Sequence, residues 1–353
     1  MFLTVSAPLN LTKNMSCKAV RPLRQSGMTL VELLVAMVIG MLISLAAVSA
    51  LIVTREGFSA VDASSQLRDN ARYASELIQR IALQTGFKDP VYVVTRPSQS
   101  DTAADASGLI SANVTGFNNS LFKITDLTTA TARTASVVGY GSDVLILKYQ
   151  TAKLNDDTSS VADGSMIDCA GHPITTIPME RNDRMVSAFY VALDAIGEPS
   201  LYCGSSSNGL APYTPQPIVK GVENLQVLYG VDGFTTVNTA FSGTPDSVPE
   251  TYLRADQIVI AGDPSSKATY DNWRRVRSIR IGMVIRGPLN SQQSATAGTP
   301  YYPFGLAKDS AGGTLGSALS SASDIGTIFI PPADGRLRQV VTFTIHLRND
   351  QSL

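Results

Sequence analysis

The apolar residues of this chain follow three different patterns along its length. From Met28 to Val53 they form a nearly unbroken run of 26 residues, in which Glu32 is the only charged residue. At 1.5 Å per residue this run would span about 39 Å as a helix, enough to cross a hydrocarbon layer of about 30 Å. The apolar part of a cleaved secretory signal has only ~7–15 residues, so the run predicts a transmembrane helix.

Beyond the apolar run, the sequence predicts that the helix continues in amphipathic form. No proline interrupts residues 28–89, and Gly86 followed by Pro90 is typical of a helix end. Charged residues occupy one face, where Glu76 and Arg80 are spaced for an i,i+4 ion pair. The other face carries an apolar stripe that we expect to pack on the protein's own sheet. The stripe consists of Leu67, Ala71, Ala74, Ile78 and Ile81.

After about residue 90 the pattern changes to short β-branched and aromatic segments between polar connections. These segments predict an α+β fold, in which a long N-terminal helix packs on a mostly antiparallel β-sheet. Met185–Leu193 and Ser200–Cys203 are spaced as a β-hairpin. The other predicted strands are Val144–Tyr149, Val222–Tyr229, Val276–Ile285 and Val340–Leu347.

Two polar stretches, 97–120 and 288–326, are expected to be irregular. The second is a long loop rich in Gly, Ser and Ala. Its three aromatic residues, Tyr301, Tyr302 and Phe304, would either anchor it on the core or offer a surface to a partner.

The charge of the chain is unevenly distributed. The formal net charge is −1, but residues 1–27 contain four basic residues and no acid, so the remainder has 24 basic and 29 acidic residues and a net charge of −5. Basic residues before a membrane span indicate a cytoplasmic N-terminus, with residues after about 54 outside the membrane. A net charge of −5 argues against a protein that binds nucleic acid mainly through phosphate contacts. The four basic residues are Lys13, Lys18, Arg21 and Arg24.

Glu32 is an unusual residue for its position. An acid inside a transmembrane helix costs ~2.5–3.5 kcal/mol, so such a residue usually has a function. The alternative is a carboxylate close enough to the interface to reach water. The surrounding string, Gly27-Met28-Thr29-Leu30-Val31-Glu32, favours the functional interpretation, because basic residues precede it and an apolar run follows it.

This string resembles the N-terminal signal of type IV pilins and of the pseudopilins of type II secretion. The resemblance implies that a prepilin peptidase cuts between Gly27 and Met28 on the cytoplasmic side and methylates the new N-terminus at Met28. Met28 departs from the phenylalanine that is usual there. If Met15 is the true start, the leader has 13 residues rather than 27.

In these families the fifth mature residue, here Glu32, neutralises the N-terminal ammonium of a neighbouring subunit. Both charges are costly when buried alone, so their pairing favours ordered assembly of helices. We expect further apolar contacts between the helices in the same assembly. These contacts involve Leu30, Leu33, Leu34 and Val38.

The resemblance extends less specifically into the domain after the helix. The larger minor pilins of the PilW type are similar to this chain in residues 221–232, in the segment Trp273–Val276 and at the end of the last predicted strand, Leu347–Asn349. The resemblance implies a pilin-like fold with four parts. They are a removed leader (1–27), a transmembrane half-helix (28–53), an extramembrane half-helix (54–86) and a β-rich head (87–353).

The function implied by this resemblance is that of a minor pilin rather than an enzyme. It would join other minor pilins and the major pilin at an inner-membrane assembly platform, prime type IV pilus assembly and end at the fibre tip, close to any tip adhesin. Alternatives are a J-type minor pseudopilin of type II secretion, or a tip adhesin subunit that binds through 288–326. The K-type pseudopilin typically lacks the acid at mature position five, so Glu32 counts against it.

The mature chain retains two cysteines, Cys169 and Cys203, since Cys17 lies in the leader. In an oxidising periplasm the simplest expectation is one disulfide between them. Two free thiols or a redox pair remain as alternatives, although no CxxC spacing supports a redox role.

No catalytic motif is apparent in the sequence. His172 and His346 are expected to be structural. No cofactor is expected, but acids could form a calcium site, although they lack EF-hand spacing. Arg280 and Arg286 alternate with Ser278 on one strand face, which predicts a solvated basic face, with DNA contact as the alternative. The candidate calcium ligands are Asp156, Asp157, Asp232 and Asp271, and the basic stretch consists of Arg274, Arg275, Arg277, Arg280 and Arg286.

Overall fold

The structure is a computed structural model in which the chain divides into two compact units, Met1–Arg55 and Glu56–Leu353. Helix α1, Leu30–Gln84, contributes residues to both. The structure describes residues 27–89, 112–135, 137–154, 161–178, 183–206, 208–233, 236–292, 298–306 and 324–349.

The second unit is an α+β domain, which confirms the predicted fold class. Its described part contains the C-terminal half of α1, nine strands and two short helices. In chain order these are β1 (Val114–Phe117), β2 (Val144–Tyr149), β3 (Met185–Leu193), β4 (Pro199–Ser206), β5 (Thr214–Lys220), β6 (Val222–Val231), β7 (Thr251–Leu253), α2 (Ala255–Ile258), α3 (Lys267–Trp273), β8 (Val276–Arg286) and β9 (Arg338–His346).

The strands form two antiparallel sheets where the sequence suggested one. The first sheet has the order β1-β2-β3-β4-β5 and the second the order β7-β6-β8-β9. The predicted hairpin is present, since β3 pairs with β4 from Leu193↔Pro199 to Val186↔Ser206. Strand β1 lies within 97–120, so the expectation of an irregular stretch is wrong for residues 114–117.

The predicted apolar stripe of α1 is buried, and it forms part of the main core. Leu67 is 2% exposed and Ile78 is fully buried, while the charged residues of the opposite face are exposed. The core also contains the inner-facing residues of both sheets, such as Phe189 on β3 and Tyr229 on β6. On the exposed face, Glu76 pairs with Arg72 at 2.7 Å, so the predicted pairing of Glu76 with Arg80 is wrong.

The helix ends at the residues that the sequence indicated. Gly86 has φ +77°, a left-handed conformation that glycine adopts without steric cost. Its N–H donates to the Lys148 carbonyl oxygen at 2.9 Å, which ties the end of α1 to β2.

Both sheets are also covered on their outer faces. On the first sheet, Phe122 stacks on Tyr190 with ring centroids 4.3 Å apart, within a second apolar cluster. On the second sheet, Pro303 lies against Gly282 of β8, and Phe304 is 4% exposed. Phe304 therefore anchors the described part of the 288–326 loop on the domain. The remainder of that loop, 293–297 and 307–323, lies outside the described residues.

A network of charged side chains joins the first sheet to the second. Glu198, at the β3–β4 hairpin, accepts from Arg286 at 2.8 Å and from Arg336 at 2.9 Å. Glu223 accepts a two-pronged contact from the buried Arg338, whose Nε lies 2.6 Å from Oε2. Although burial opposes ionisation of Glu198, Arg286 and Arg336 together lower the pKa of its carboxyl group. Removal of one member would leave a partly buried charge uncompensated.

The predicted disulfide between Cys169 and Cys203 is present, with the Cα atoms 5.5 Å apart. Both residues are fully buried. Cys203 lies on β4, whereas Cys169 lies in the connection between β2 and β3. The Cys169 amide N–H donates to the Ser187 hydroxyl at 3.0 Å. The disulfide therefore fixes an irregular segment over the first sheet.

Replacement of both cysteines by serine should lower the free energy of unfolding of residues 56–353 by about 3–4 kcal/mol, because the cross-link closes a long loop in the unfolded chain. Denaturant unfolding measures the loss, and reduction of the unmodified protein serves as the control. A loss below about 1 kcal/mol, or two free thiols in non-reducing mass spectrometry, would contradict this assignment.

Two buried tyrosines differ in how their hydroxyl groups are satisfied. Tyr149 lies 2.8 Å from the Ile167 carbonyl oxygen and 2.9 Å from the Ser187 hydroxyl. The Tyr229 hydroxyl is buried and has no hydrogen-bond partner in the part of the chain that the structure describes, and burial raises its pKa well above the usual value. It fits only because residue 116 is a glycine, since a Cβ there would overlap the hydroxyl oxygen.

Tyr229→Phe should therefore raise the free energy of unfolding by about 1 kcal/mol, because it removes an unpaired buried hydroxyl. Tyr149→Phe is the matched control and should lower it by about 1–2 kcal/mol, because two contacts are lost. Parallel denaturant unfolding of both variants compares them. Equal losses would show that the Tyr229 hydroxyl is satisfied.

Candidate functional site

The first half of α1 is apolar on every side. It contains an 18-residue window with a mean hydropathy of 2.6 in which no residue is buried. By length and composition, this helix can cross a membrane. A helix that is apolar all round needs an apolar environment, because no water-facing side is left.

Gly27, Met28 and Thr29 precede this helix in non-helical conformation and are exposed. The side chain of Met28 is 63% exposed. The peptide bond between Gly27 and Met28 is therefore outside the hydrogen-bonded helix. The leader residues 1–26, including Cys17 and Met15, lie outside the described residues.

Thr29 and Glu32 form a reciprocal cap at the start of α1. The Thr29 amide N–H donates to Glu32 Oε2 at 2.9 Å, and the Glu32 amide N–H donates to the Thr29 hydroxyl at 3.3 Å. This is a capping box, which satisfies two backbone donors that the first turn of a helix leaves free. The role of Thr29 was not predicted, although its spacing of three residues from Glu32 is the usual sequence signature of a capping box.

The cap leaves part of the Glu32 carboxylate available. The Thr29 hydroxyl also donates to Oε2, at 3.0 Å, so both hydrogen bonds from Thr29 to the carboxylate involve the same oxygen. Among the described residues, Oε1 has no hydrogen-bond donor. It can accept a bond from a cation without breaking the cap.

The apolar residues predicted to take part in assembly share one side of the helix. At 100° per residue, Leu30, Leu34 and Val38 lie within about 80° of one another, and Leu33 lies on their flank. Glu32 points to roughly the opposite side. All five residues are exposed in the single chain, and the four apolar ones are between 48% and 73% exposed.

Of the candidate calcium ligands, Asp232 and Asp271 lie within the described residues, and each has a basic partner. Asp232 accepts from Arg277 at 3.0 Å, and Asp271 pairs with Lys267 at 2.7 Å. Asp156 and Asp157 lie outside the described residues. The structure instead brings Asp246 and Glu250 near Asp232, with carboxylate oxygens within 4.8 Å of one another. Calcium binding stays a prediction.

The prediction of a solvated basic face on β8 is wrong. Arg274 and Arg275 are each 8% exposed, and Arg275 lies over the Phe241 ring at 3.6 Å. Arg277 is paired with Asp232, and Arg286 belongs to the network around Glu198. Hydrogen bonds from backbone amides and from Arg277 outweigh burial and lower the pKa of Asp232. Arg277 and Arg286 bind acids within the domain and Arg275 packs on an aromatic ring, which the sequence pattern alone did not reveal.

Both histidines belong to the second unit. His172 Nδ1 is 3.5 Å from the Asp168 carboxylate in the connection that carries Cys169. His346 is exposed at the end of β9.

Comparison with known proteins identifies two segments of the chain. The family model for type IV pilus-assembly protein W matches residues 188–349. The model for the prokaryotic N-terminal methylation motif matches residues 22–48, which include Gly27, Met28 and Glu32. No curated protein matches the chain.

Among solved structures, a type IV-like pilin from Thermus thermophilus, TTHA1219, is similar to this chain. It is 13% identical, with 81% of this chain and 98% of that chain covered and a TM-score of 0.36. By its two family-model matches, the chain carries a type IV pilus-assembly protein W domain behind a prokaryotic N-terminal methylation motif, the two signatures of a type IV pilin-like minor pilin.

Proposed function

We propose that this protein is a membrane-anchored minor pilin that primes type IV pilus assembly and is not an enzyme. Prepilin peptidase cuts it between Gly27 and Met28 and methylates Met28. The mature chain then joins other minor pilins in the inner membrane, and the complex starts polymerisation of the major pilin. The observation that carries this proposal is Glu32, a single carboxylate in an apolar helix and the fifth residue after the cleavage site.

The physical basis is the pairing of two charges that are costly when separate. Cleavage would create an ammonium at Met28 next to the apolar segment, and an acid in such a segment costs ~2.5–3.5 kcal/mol. The free Oε1 of Glu32 can accept a bond from the ammonium of a neighbouring subunit, while Oε2 keeps the cap with Thr29. The Glu32 carboxylate of each subunit would thereby neutralise the N-terminal ammonium of the next. This pairing is possible only when the helices lie side by side in a bundle.

The distribution of side chains on α1 fits contacts on two sides. Glu32 serves one neighbour, and the side with Leu30, Leu33, Leu34 and Val38 packs on another helix. A helix with only one neighbour would leave one of these sides unused. An assembly of several subunits uses both.

The proposed orientation follows from charge. The four basic leader residues favour a cytoplasmic N-terminus, and the second unit then lies in the periplasm. Placement at the tip of the fibre, close to a tip adhesin and on the assembly platform, rests on the family resemblance. A large domain suits the tip, where no subunit must stack above it.

Processing is the first test. Mass spectrometry of the mature protein should find an N-terminus at N-methylated Met28, and Gly27→Leu should leave the precursor uncut. A Gly57→Leu variant, changed in the same way within α1, should be cleaved normally. An N-terminus at any other residue would contradict the proposed site.

Assembly is the second test. Glu32→Gln keeps the shape of the side chain and its cap but removes the charge, so surface pili should fall by about tenfold or more. Glu56→Gln, just past the apolar run, is the matched control and should leave piliation unchanged. Normal piliation with Glu32→Gln would contradict the role of the charge. Normal piliation together with a loss of enzyme export would instead indicate a J-type pseudopilin.

Deletion of residues 307–323 separates the adhesin alternative from the proposal. A priming subunit should keep both full piliation and full surface attachment, whereas a tip adhesin subunit that binds through 288–326 should keep piliation but lose surface attachment. Phe304, which anchors the described part of this loop, is left intact.

A further inference from the structure

The second sheet ends in a long strand with an open edge. In the order β7-β6-β8-β9, strand β9 is outermost, and all nine of its residues pair with β8, from Arg286↔Arg338 to Ser278↔His346. An open edge presents backbone N–H and C=O groups in the spacing of a strand, which only another extended chain can match throughout.

The hydrogen-bond register identifies the groups that face outward. The Leu347 amide N–H donates to the Arg277 carbonyl oxygen, and the Gly287 amide N–H donates to the Leu337 carbonyl oxygen. In an antiparallel pair such bonds recur at every second residue, so the odd-numbered residues of β9 bond to β8. Val340, Thr342, Thr344 and His346 therefore direct their backbone groups away from the sheet. No described residue pairs with these outward groups.

The other described edges are short or blocked. Strand β1 has four residues and β7 has three. Strand β5 is longer, but it contains Pro215 and Pro217, which have no N–H to donate. Edge strands of soluble proteins usually carry a proline, a lysine or a bulge that prevents further pairing, and β9 has none of the three.

The charge along this edge favours one kind of partner. Residues 336–348 contain three arginines and one histidine and no acidic residue, in a mature chain that is acidic overall. Arg336 and Arg338 are already paired in the network around Glu198 and Glu223, whereas His346 and Arg348 are exposed. Antiparallel pairing of β9 with a second copy about Thr342 would place Arg348 across from Arg336. Like charges directly opposite each other oppose that arrangement.

We infer that the free edge of β9 is an interaction surface that accepts an extended, acidic segment of another protein as a fifth strand of the second sheet. Main-chain bonds to Val340, Thr342 and Thr344 supply affinity, and an acid near Arg348 supplies selectivity. This surface goes beyond the proposed assembly role, because it lies in the second unit and involves none of the residues near Glu32. It holds whether or not Glu32 acts in assembly.

The test uses the full chain in detergent micelles and the peptide Glu-Val-Thr-Val-Thr-Val-Glu, with residue-resolved amide exchange as the readout. Without peptide, the amides of Val340, Thr342 and Thr344 should exchange rapidly, while those of Val341, Phe343 and Ile345 are protected by β8. Saturating peptide should slow the first group by about tenfold or more. The same peptide with lysine at both ends should bind about tenfold more weakly.

Two variants and one further peptide separate strand addition from loose association. Thr344→Pro removes an outward N–H without removing a β8–β9 bond, and it should abolish protection, whereas Thr344→Val should bind as the unmodified chain does. Retained protection of the Val341 and Ile345 amides shows that Thr344→Pro has folded. If it does not fold, Val340→Pro takes its place, because it also removes an outward N–H. Glu-Val-Thr-Pro-Thr-Val-Glu should give no protection.

Three outcomes would overturn the inference. They are no protection by the acidic peptide, equal protection by the proline peptide, and outward amides that are already protected in a concentration-dependent way without peptide. The last outcome would assign the edge to a second copy.

Discussion

The constraint on which this structure depends is that one continuous helix, α1, serves two different environments. Between its two ends its backbone hydrogen bonds are internal to the helix, so only its side chains can adapt to the environment. From Leu30 to Val53 they are apolar on all sides. From Ala63 to Ala82 an apolar stripe is buried against two sheets and the remaining positions are polar. The helix continues without a break between the two parts, because only the distribution of apolar side chains around it changes.

This constraint explains why one carboxylate near the start of α1 has such consequences. A charge on a helix that is apolar all round has two ways to be satisfied, by local backbone groups or by a partner. Glu32 uses the first through Thr29 and keeps one oxygen for the second. The cap lowers the cost of the acid in the single chain, and the remaining oxygen makes partnership favourable. The cap of Glu32 thus lowers the free-energy cost of inserting the helix into the membrane, and the same residue also favours assembly with a second subunit.

The sequence predicted well those features that depend on local patterns. The stripe from Leu67 to Ile81, the stop at Gly86 and the hairpin of β3 and β4 follow from periodicity, glycine conformation and spacing. Two sheets could not be distinguished from one, because alternation indicates a buried face but not the sheet to which it belongs. Strand β5 was missed because its prolines argue against a strand, although an edge tolerates them.

Contacts between distant residues limited the prediction of the site. Arg286 looked solvated on its strand, yet its partner Glu198 is 88 residues away in the chain. Glu76 had two arginines at helical spacing, Arg72 and Arg80, and the sequence could not choose between them. The cap formed by Thr29, in contrast, was readable from three-residue spacing. It was overlooked because the cleavage motif explained the same residues.

The central claim is that the Glu32 carboxylate binds the N-terminal ammonium of a neighbouring subunit. Solid-state NMR on the co-assembled complex tests it most directly, with ¹³C at the Glu32 carboxyl and ¹⁵N at the N-terminal amine of the adjacent pilin. The account predicts a carbon–nitrogen distance of about 4 Å, as expected for a hydrogen-bonded ion pair. A distance beyond about 6 Å, with piliation intact, would contradict it.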